Sequence, residues 1–138
     1  MKQIRNKHDH FNEDDICVVV TCYDEFLIEL VYCLNAILDN KISEVSIVLI
    51  NDNPKRIIRS NRIKKLFPKI CLLENKKNFG VSYCRNLGID HATKINKKLI
   101  AFCDADDTWE KNKIMEQLVF INAGYLVVST GMNEINYF

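Results

Sequence analysis

The sequence holds only 4 glycines among its 138 residues, a single tryptophan, and no apolar run longer than a strand. Scarce glycine excludes a collagen-like fibre, and the absence of a sustained heptad excludes a coiled coil. The longest apolar stretches, such as 16–20 and 45–50, fall far short of the ~20 residues that a membrane-spanning helix needs. The opening segment, MKQIRNKHDHFNEDD, lacks the apolar centre of a signal peptide, so the cytoplasm is the expected location. No Cys-x-x-Cys pair occurs among Cys17, Cys22, Cys33, Cys71, Cys84 and Cys103. Most of these lie inside apolar runs and read as buried free thiols rather than as a zinc or redox site. No G-x-G-x-x-G follows any apolar run, which excludes a dinucleotide-binding loop.

What is present describes one soluble domain: 48% apolar and 27% charged residues in a chain of ordinary domain length. The net charge of +1 hides a segregation. Residues 54–99 carry 13 Lys and Arg against 2 acids, and the rest of the chain carries 6 against 16. A basic middle beside an acidic remainder suits an anionic ligand or an anionic membrane face, although solvated helix faces account for most individual lysines. No nucleic-acid partner is expected, and the oligomeric state is left open.

Residues 1–15 are polar and unpatterned and read as a flexible arm, leaving 16–138 as the folded unit. Five short apolar runs follow, at 16–20, 45–50, 70–73, 99–103 and 125–128. Continuous rather than alternating hydrophobicity predicts strands buried on both faces, as in a parallel sheet covered by helices. Between them, Phe26, Leu27, Leu30, Val31, Leu34, Ile37 and Leu38 recur at helical spacing, as do Ile114, Met115, Leu118, Val119 and Ile121. Helices are also predicted over 55–66 and 81–93. The alternation defines an α/β fold with a mostly parallel, Rossmann-like sheet. Ligands of such sheets bind beyond the carboxyl ends of the strands. There the sequence places Thr21, Cys22, Tyr23 and Asp24, then Asn51, Asp52 and Asn53, then Asp104, Asp106 and Asp107.

Three carboxylates within four residues repel one another, and a hard divalent cation relieves that repulsion. An acidic turn capping the next helix fits the residue types equally well. The position after a buried strand, with Asp52 at the same rim, favours the metal. His8 and His10 read as part of a solvated arm, and Trp109 as an anchor for the following helix.

Four segments, in order, resemble the motifs of family 2 glycosyltransferases. ICVVVTCYD (16–24) is similar to the family's first strand, VSVIIPTYN, and IVLINDN (47–53) to IVVDDGS. NFGVSYCRNLGIDHA (78–92) resembles N-x-G-x-x-x-A-R-N-x-G-I-x-x-A, and LIAFCDADDTW (99–109) resembles FLDADD-x-W. The resemblance implies a GT-A fold, the DxD motif, and a nucleotide-diphosphate sugar donor, most often a UDP-sugar. Position by position it implies that Thr21, Tyr23 and Asp52 hold the base and ribose, with Asp24 beside them. Arg85 would lie near the base or diphosphate. Asp104 and Asp106 would face the ribose, and Asp106 and Asp107 a Mn²⁺ or Mg²⁺ ion. It also implies transfer to a saccharide or lipid-linked acceptor in polysaccharide biosynthesis, at or near the inner face of the membrane. The sequence departs from the pattern at Thr21, Cys22, Asn51 and Asn53-Pro54, which stand for Pro, Thr, Asp and Gly-Ser.

The family's second half, with its acceptor site and general base, has no counterpart in these residues. The expectation is a truncated form, and no catalytic residue is identified. Of the later acids, Glu110, Glu116 and Glu134, only Glu134 lies outside the helix that follows the turn. A catalytically inactive nucleotide-sugar-binding remnant is the alternative. Asp104-Ala-Asp-Asp-Thr108 also fits the D-x-D-x-T signature of haloacid-dehalogenase-like phosphotransferases, but the later Lys and acidic pair which that chemistry needs are missing.

Overall fold

The computed structural model describes residues 9–40 and 45–132 of the chain. The elements in order are β1 (Ile16–Cys22), α1 (Leu27–Leu38), β2 (Ser46–Asn51), α2 (Ile57–Leu66), β3 (Cys71–Glu74), α3 (Val81–Lys94), β4 (Leu99–Asp104) and α4 (Lys113–Asn122). Short 3₁₀ turns precede β1 at Glu13–Asp15 and α2 at Pro54–Arg56. The four strands form one parallel sheet in the order β3-β2-β1-β4.

Strand β1 lies in the middle because it can be covered on both faces. Ile16, Val18, Val20 and Cys22 face a core built with Leu30, Cys33, Leu34 and Ile37 of α1, Ile63 of α2, and Ile114 and Leu118 of α4. The alternate residues Cys17 and Val19 face the other side, with Val48 and Ile50 of β2 and Cys84 and Ala92 of α3. The period-2 geometry of a strand thus turns one unbroken apolar run into two half-cores. Gly88 is the closest approach of α3 to the sheet: a Cβ there would sit 2.3 Å from Val19 Cγ1.

The chain steps outward from β1 to β2 and β3, then crosses over through α3 to β4 on the far side of β1. The strand order reverses between β1 and β4, so the segments leaving those two strands open onto one crevice.

Two expectations differ from the structure. Residues 125–128 form no strand, and Leu126 and Val127 are 79% and 85% exposed. After α4 the chain turns at Gly124 (φ +112°), and Gln117 Nε2 of α4 donates to the Val128 carbonyl at 3.4 Å. An apolar run becomes a strand only beside a ladder partner, and among the described residues β4 pairs with β1 alone. Residues 9–15 are not a loose arm either. Asn12 caps the first 3₁₀ turn, and Phe11 packs against the main core. Phe11 N–H donates to Asn122 Oδ1, and Asn122 Nδ2 donates back to the Phe11 carbonyl, both at 2.9 Å. His8 and Glu134 lie outside the described residues.

Candidate functional site

At the switch point, Thr21 and Asp104 end paired strands, and Thr21 Oγ1 donates to Asp104 Oδ1 at 3.3 Å. Ala105 N–H donates to the Thr21 carbonyl, carrying the ladder one residue further, before Asp107 N–H closes a turn on the Asp104 carbonyl at 3.0 Å. That carbonyl also accepts from the buried thiols of Cys33 and Cys103, at 3.6 and 3.5 Å. Three donors on one oxygen fix the start of the acidic turn. Trp109 packs against the core beyond it, with Lys113 Nζ 4.4 Å from its ring centroid.

The carboxylates divide into two kinds. Asp104 is neutralised: Arg85 Nη2 donates to its Oδ1 at 3.0 Å and its Oδ2 at 3.4 Å, while the guanidinium lies over the Phe102 ring. Thr21 and Arg85 together fix the orientation of this carboxylate at the strand end. The side chains of Asp106 and Asp107 make no hydrogen bond or ion pair among the described residues, and both residues are exposed. Partial desolvation of its carboxyl, then the neighbouring charges of Asp106 and Asp104, push Asp107 above its ordinary value. A cation placed beside these carboxylates would relieve their repulsion. Among the described residues, however, no three His, Cys, Asp or Glu side chains converge into a ready metal cage.

Thr21, Cys22, Tyr23, Glu25, Asp52, Val81, Cys84, Asp104 and Asp106 line a recess of about 270 Å³. Five of the residues expected from the sequence, Thr21, Tyr23, Asp52, Asp104 and Asp106, therefore meet in one cavity. Arg85 reaches it through Asp104. Asp24 instead faces an adjoining recess of about 440 Å³, which shares Tyr23 and is bordered by Lys55, Lys76 and Lys77. Cys22 and Cys84 line the first recess as thiols, pushed by burial up to about 12 and about 11. They are protonated packing groups rather than nucleophiles.

The loop bearing Tyr23 is held by two arginines of the basic segment. Arg56 pairs with Asp24 at 2.7 Å. Arg59, only 7% exposed, donates to the carbonyls of Glu25 and Tyr23 and to Asn51 Oδ1 at 2.5, 3.3 and 2.7 Å. Asn51 thus accepts from a buried guanidinium where the family pattern has an acid. Arg59 was hidden in sequence by its charged neighbours. Its i, i+4 spacing to the buried Ile63 is the signal that marks it as inward-facing.

Asp52 stands at the end of β2, where its N–H donates to the Cys22 carbonyl at 2.9 Å. Its carboxylate accepts from Asn75 Nδ2 at 2.7 Å, from Phe79 N–H at 3.0 and 3.1 Å, and from Gly80 N–H at 2.8 Å. Burial alone raises this carboxyl. The bonds from Phe79, Asn75 and Gly80 together outweigh it and hold the group below its ordinary value.

Comparison with known proteins gives this arrangement its class. The sequence profile of Glycosyl transferase family 2 matches residues 17–137. The chain belongs to that family. An uncharacterized glycosyltransferase of Rickettsia conorii is 43% identical over 63 residues, covering 45% of this chain and 10% of the relative. Among solved structures, S. aureus TarS 1-349 in complex with UDP superposes with a TM-score of 0.62 at 18% identity, covering 78% of this chain and 32% of that one. The mannosyltransferase PcManGT of Pyrobaculum calidifontis, in complex with GDP-Man and Mn²⁺, gives a TM-score of 0.61 at 17% identity, covering 80% and 32%. These likenesses establish the GT-A fold. The chain spans about a third of the length of those structures.

Proposed function

We propose that this chain binds a nucleotide-diphosphate sugar, a UDP-sugar first among them, as the donor-binding part of a glycosyltransferase acting on a saccharide or lipid-linked acceptor. The observation that carries the reading is the meeting of Tyr23 with Asp104 and Asp106 across the switch point, in one recess. The half-exposed Tyr23 ring offers an aromatic face for a base. Arg85 spends one nitrogen on Asp104, and a guanidinium has five N–H donors, so the remainder can take diphosphate oxygens. Asp104, held by Thr21 and Arg85, presents a fixed edge toward the ribose, with Asp106 beside it.

The donor set of Asp106 and Asp107 suits Mn²⁺ or Mg²⁺: two unpaired carboxylates whose mutual repulsion a cation relieves. When bound, such an ion offsets the negative charge that develops on the departing diphosphate. No residue is assigned as the general base. The UDP and the GDP-Man with Mn²⁺ seen in the two structural neighbours support the donor class and the metal. We place the protein in the cytoplasm, in polysaccharide biosynthesis, with the exposed Arg62 and Lys65 of α2 available to an anionic membrane face. No helix among the described residues is long and apolar enough to cross a membrane.

Saturation-transfer NMR with UDP-glucose and GDP-mannose in Mg²⁺ tests the reading. Base and ribose protons of one donor should receive saturation from the protein, and Tyr23→Ala should erase the base signal. Absence of transfer to either donor would remove the proposed function.

A further inference from the structure

We infer that residues 76–83, the turn into α3 and its first residues, form the protein's contact face for an anionic phospholipid bilayer. The inference deepens the membrane placement proposed above by moving its centre from α2 to this lip, and it does not depend on donor binding. Its starting point is an apolar surface without a structural use. Phe79, Val81 and Tyr83 are 42%, 50% and 46% exposed. The Phe79 and Tyr83 rings stack on each other, with centroids 4.4 Å apart and planes inclined by 20°. Apolar residues scattered singly over a surface need no explanation, whereas a contiguous group marks a contact site.

The charge around this group has one sign. Lys76 and Lys77 are exposed, and Lys77 Nζ stands 5.0 Å from the Phe79 ring centroid. Lys55 joins them on the border of the adjoining recess, where Asp24 is already taken by Arg56 at 2.7 Å. None of the three lysines makes an ion pair among the described residues, and no acid occurs anywhere in 75–89. Unpaired ammonium groups beside exposed aromatic rings match a bilayer interface on both counts. The rings sit at headgroup level, and the lysines meet lipid phosphates. Helix α2 is the poorer match. Its Arg59 is turned inward, its Lys64 lies 3.9 Å from Glu74, and it contains no aromatic residue.

The lip is also tied to the sheet. The N–H groups of Phe79 and Gly80 donate to Asp52 at the end of β2, at 3.0 and 2.8 Å. A contact face fixed in this way sets how the donor recess stands over the bilayer. Val81 belongs to both, lining the recess while half-exposed on the lip. The recess therefore opens beside the lipid headgroups, which suits a lipid-linked acceptor.

The test is co-sedimentation of the full chain with vesicles of phosphatidylcholine alone and of phosphatidylcholine mixed equally with phosphatidylglycerol. The chain should sediment with the acidic vesicles only and be released by high salt. Lys76→Gln with Lys77→Gln should lower the partition coefficient about 25-fold, a factor of about five for each lysine. Phe79→Ser with Tyr83→Ser should lower it about tenfold, through lost apolar contact. Arg62→Gln with Lys65→Gln should lower it less than either. All six side chains are exposed, and circular dichroism checks that each variant folds. Emission gained in Tyr83→Trp should be quenched by lipid brominated on its acyl chains, while that of Trp109, packed against the core, should not. A larger loss in the α2 variant than in the lysine variant overturns the inference and leaves the membrane placement standing. Unchanged partition in the Phe79 and Tyr83 variant, or unquenched emission from Tyr83→Trp, also overturns it. Wild-type chain that ignores acidic vesicles defeats the inference and the membrane placement together, and leaves donor binding to be read separately by titration with UDP.

Discussion

Gly88→Ala adds one methyl group, and the structure sets where it goes. The new Cβ would stand 2.3 Å and 2.8 Å from the two γ-carbons of Val19 and 3.1 Å from its Cβ. Val19 is fully buried on the central strand, which is hydrogen-bonded on both sides to β2 and β4, so the strand cannot recede. The helix must move instead. Overpacking of this kind costs about 1–3 kcal/mol, and contacts this short belong at the upper end. Replacing a mid-helix glycine by alanine returns about 1 kcal/mol of propensity. The expected net loss is about 2 kcal/mol, or a fall in Tm of roughly 5–10 °C for a domain of this size. Thermal denaturation followed by circular dichroism measures it. The sign should reverse when the obstruction is removed: in a Val19→Ala background, Gly88→Ala becomes neutral or stabilising by up to about 1 kcal/mol. Gly88→Ala that is as stable as the parent in the wild-type background would refute the packing of α3 on β1 described here.

Arg59→Met keeps the aliphatic stem but strips the donors from the carbonyls of Tyr23 and Glu25 and from Asn51. Urea denaturation should show a loss of about 2–4 kcal/mol, with nucleotide affinity falling alongside it because the Tyr23 loop loses its support. Asn122→Ala removes both bonds to Phe11 and should cost about 1–2 kcal/mol, read as faster amide exchange and earlier proteolysis around residues 9–15. The raised Asp107 carboxyl makes a pH prediction. Its charged form is disfavoured in the fold, so the penalty is present above its raised pKa and disappears as pH falls below the ordinary carboxylate value. Metal binding needs the charged form, so Mn²⁺ affinity should fall on acidification at a higher pH than an unperturbed Asp allows. A decline that begins only near pH 4 would count against Asp107 as a ligand.

The strands and helices were legible because each is an apolar run or stripe whose period matches its burial. Strand β1 reads as continuous and is covered on both faces; α1 reads at i, i+3, i+4 and buries Leu30, Cys33, Leu34 and Ile37. The run at 125–128 has the same composition as a strand, but composition does not supply a partner. Phe11 and Asn122 were illegible because their contact spans 111 residues and uses one polar side chain. At the site, the strand-end positions of Thr21, Tyr23, Asp104 and Asp106 followed from topology, since parallel strands deliver their carboxyl ends to one edge. The role of Arg59 did not follow. It depends on where backbone carbonyls point, which sequence does not record. Arg59 looks like one more solvated cation until the acceptors around it are placed.

The most direct test of donor binding at the β1–β4 switch point is isothermal titration calorimetry of UDP and GDP against the chain, in Mn²⁺ and in EDTA. Binding of at least one nucleotide in Mn²⁺ should weaken tenfold or more in EDTA, and Asp106→Ala with Asp107→Ala should abolish that difference. Equal affinity in Mn²⁺ and EDTA, or a metal effect that survives the double substitution, would contradict the account.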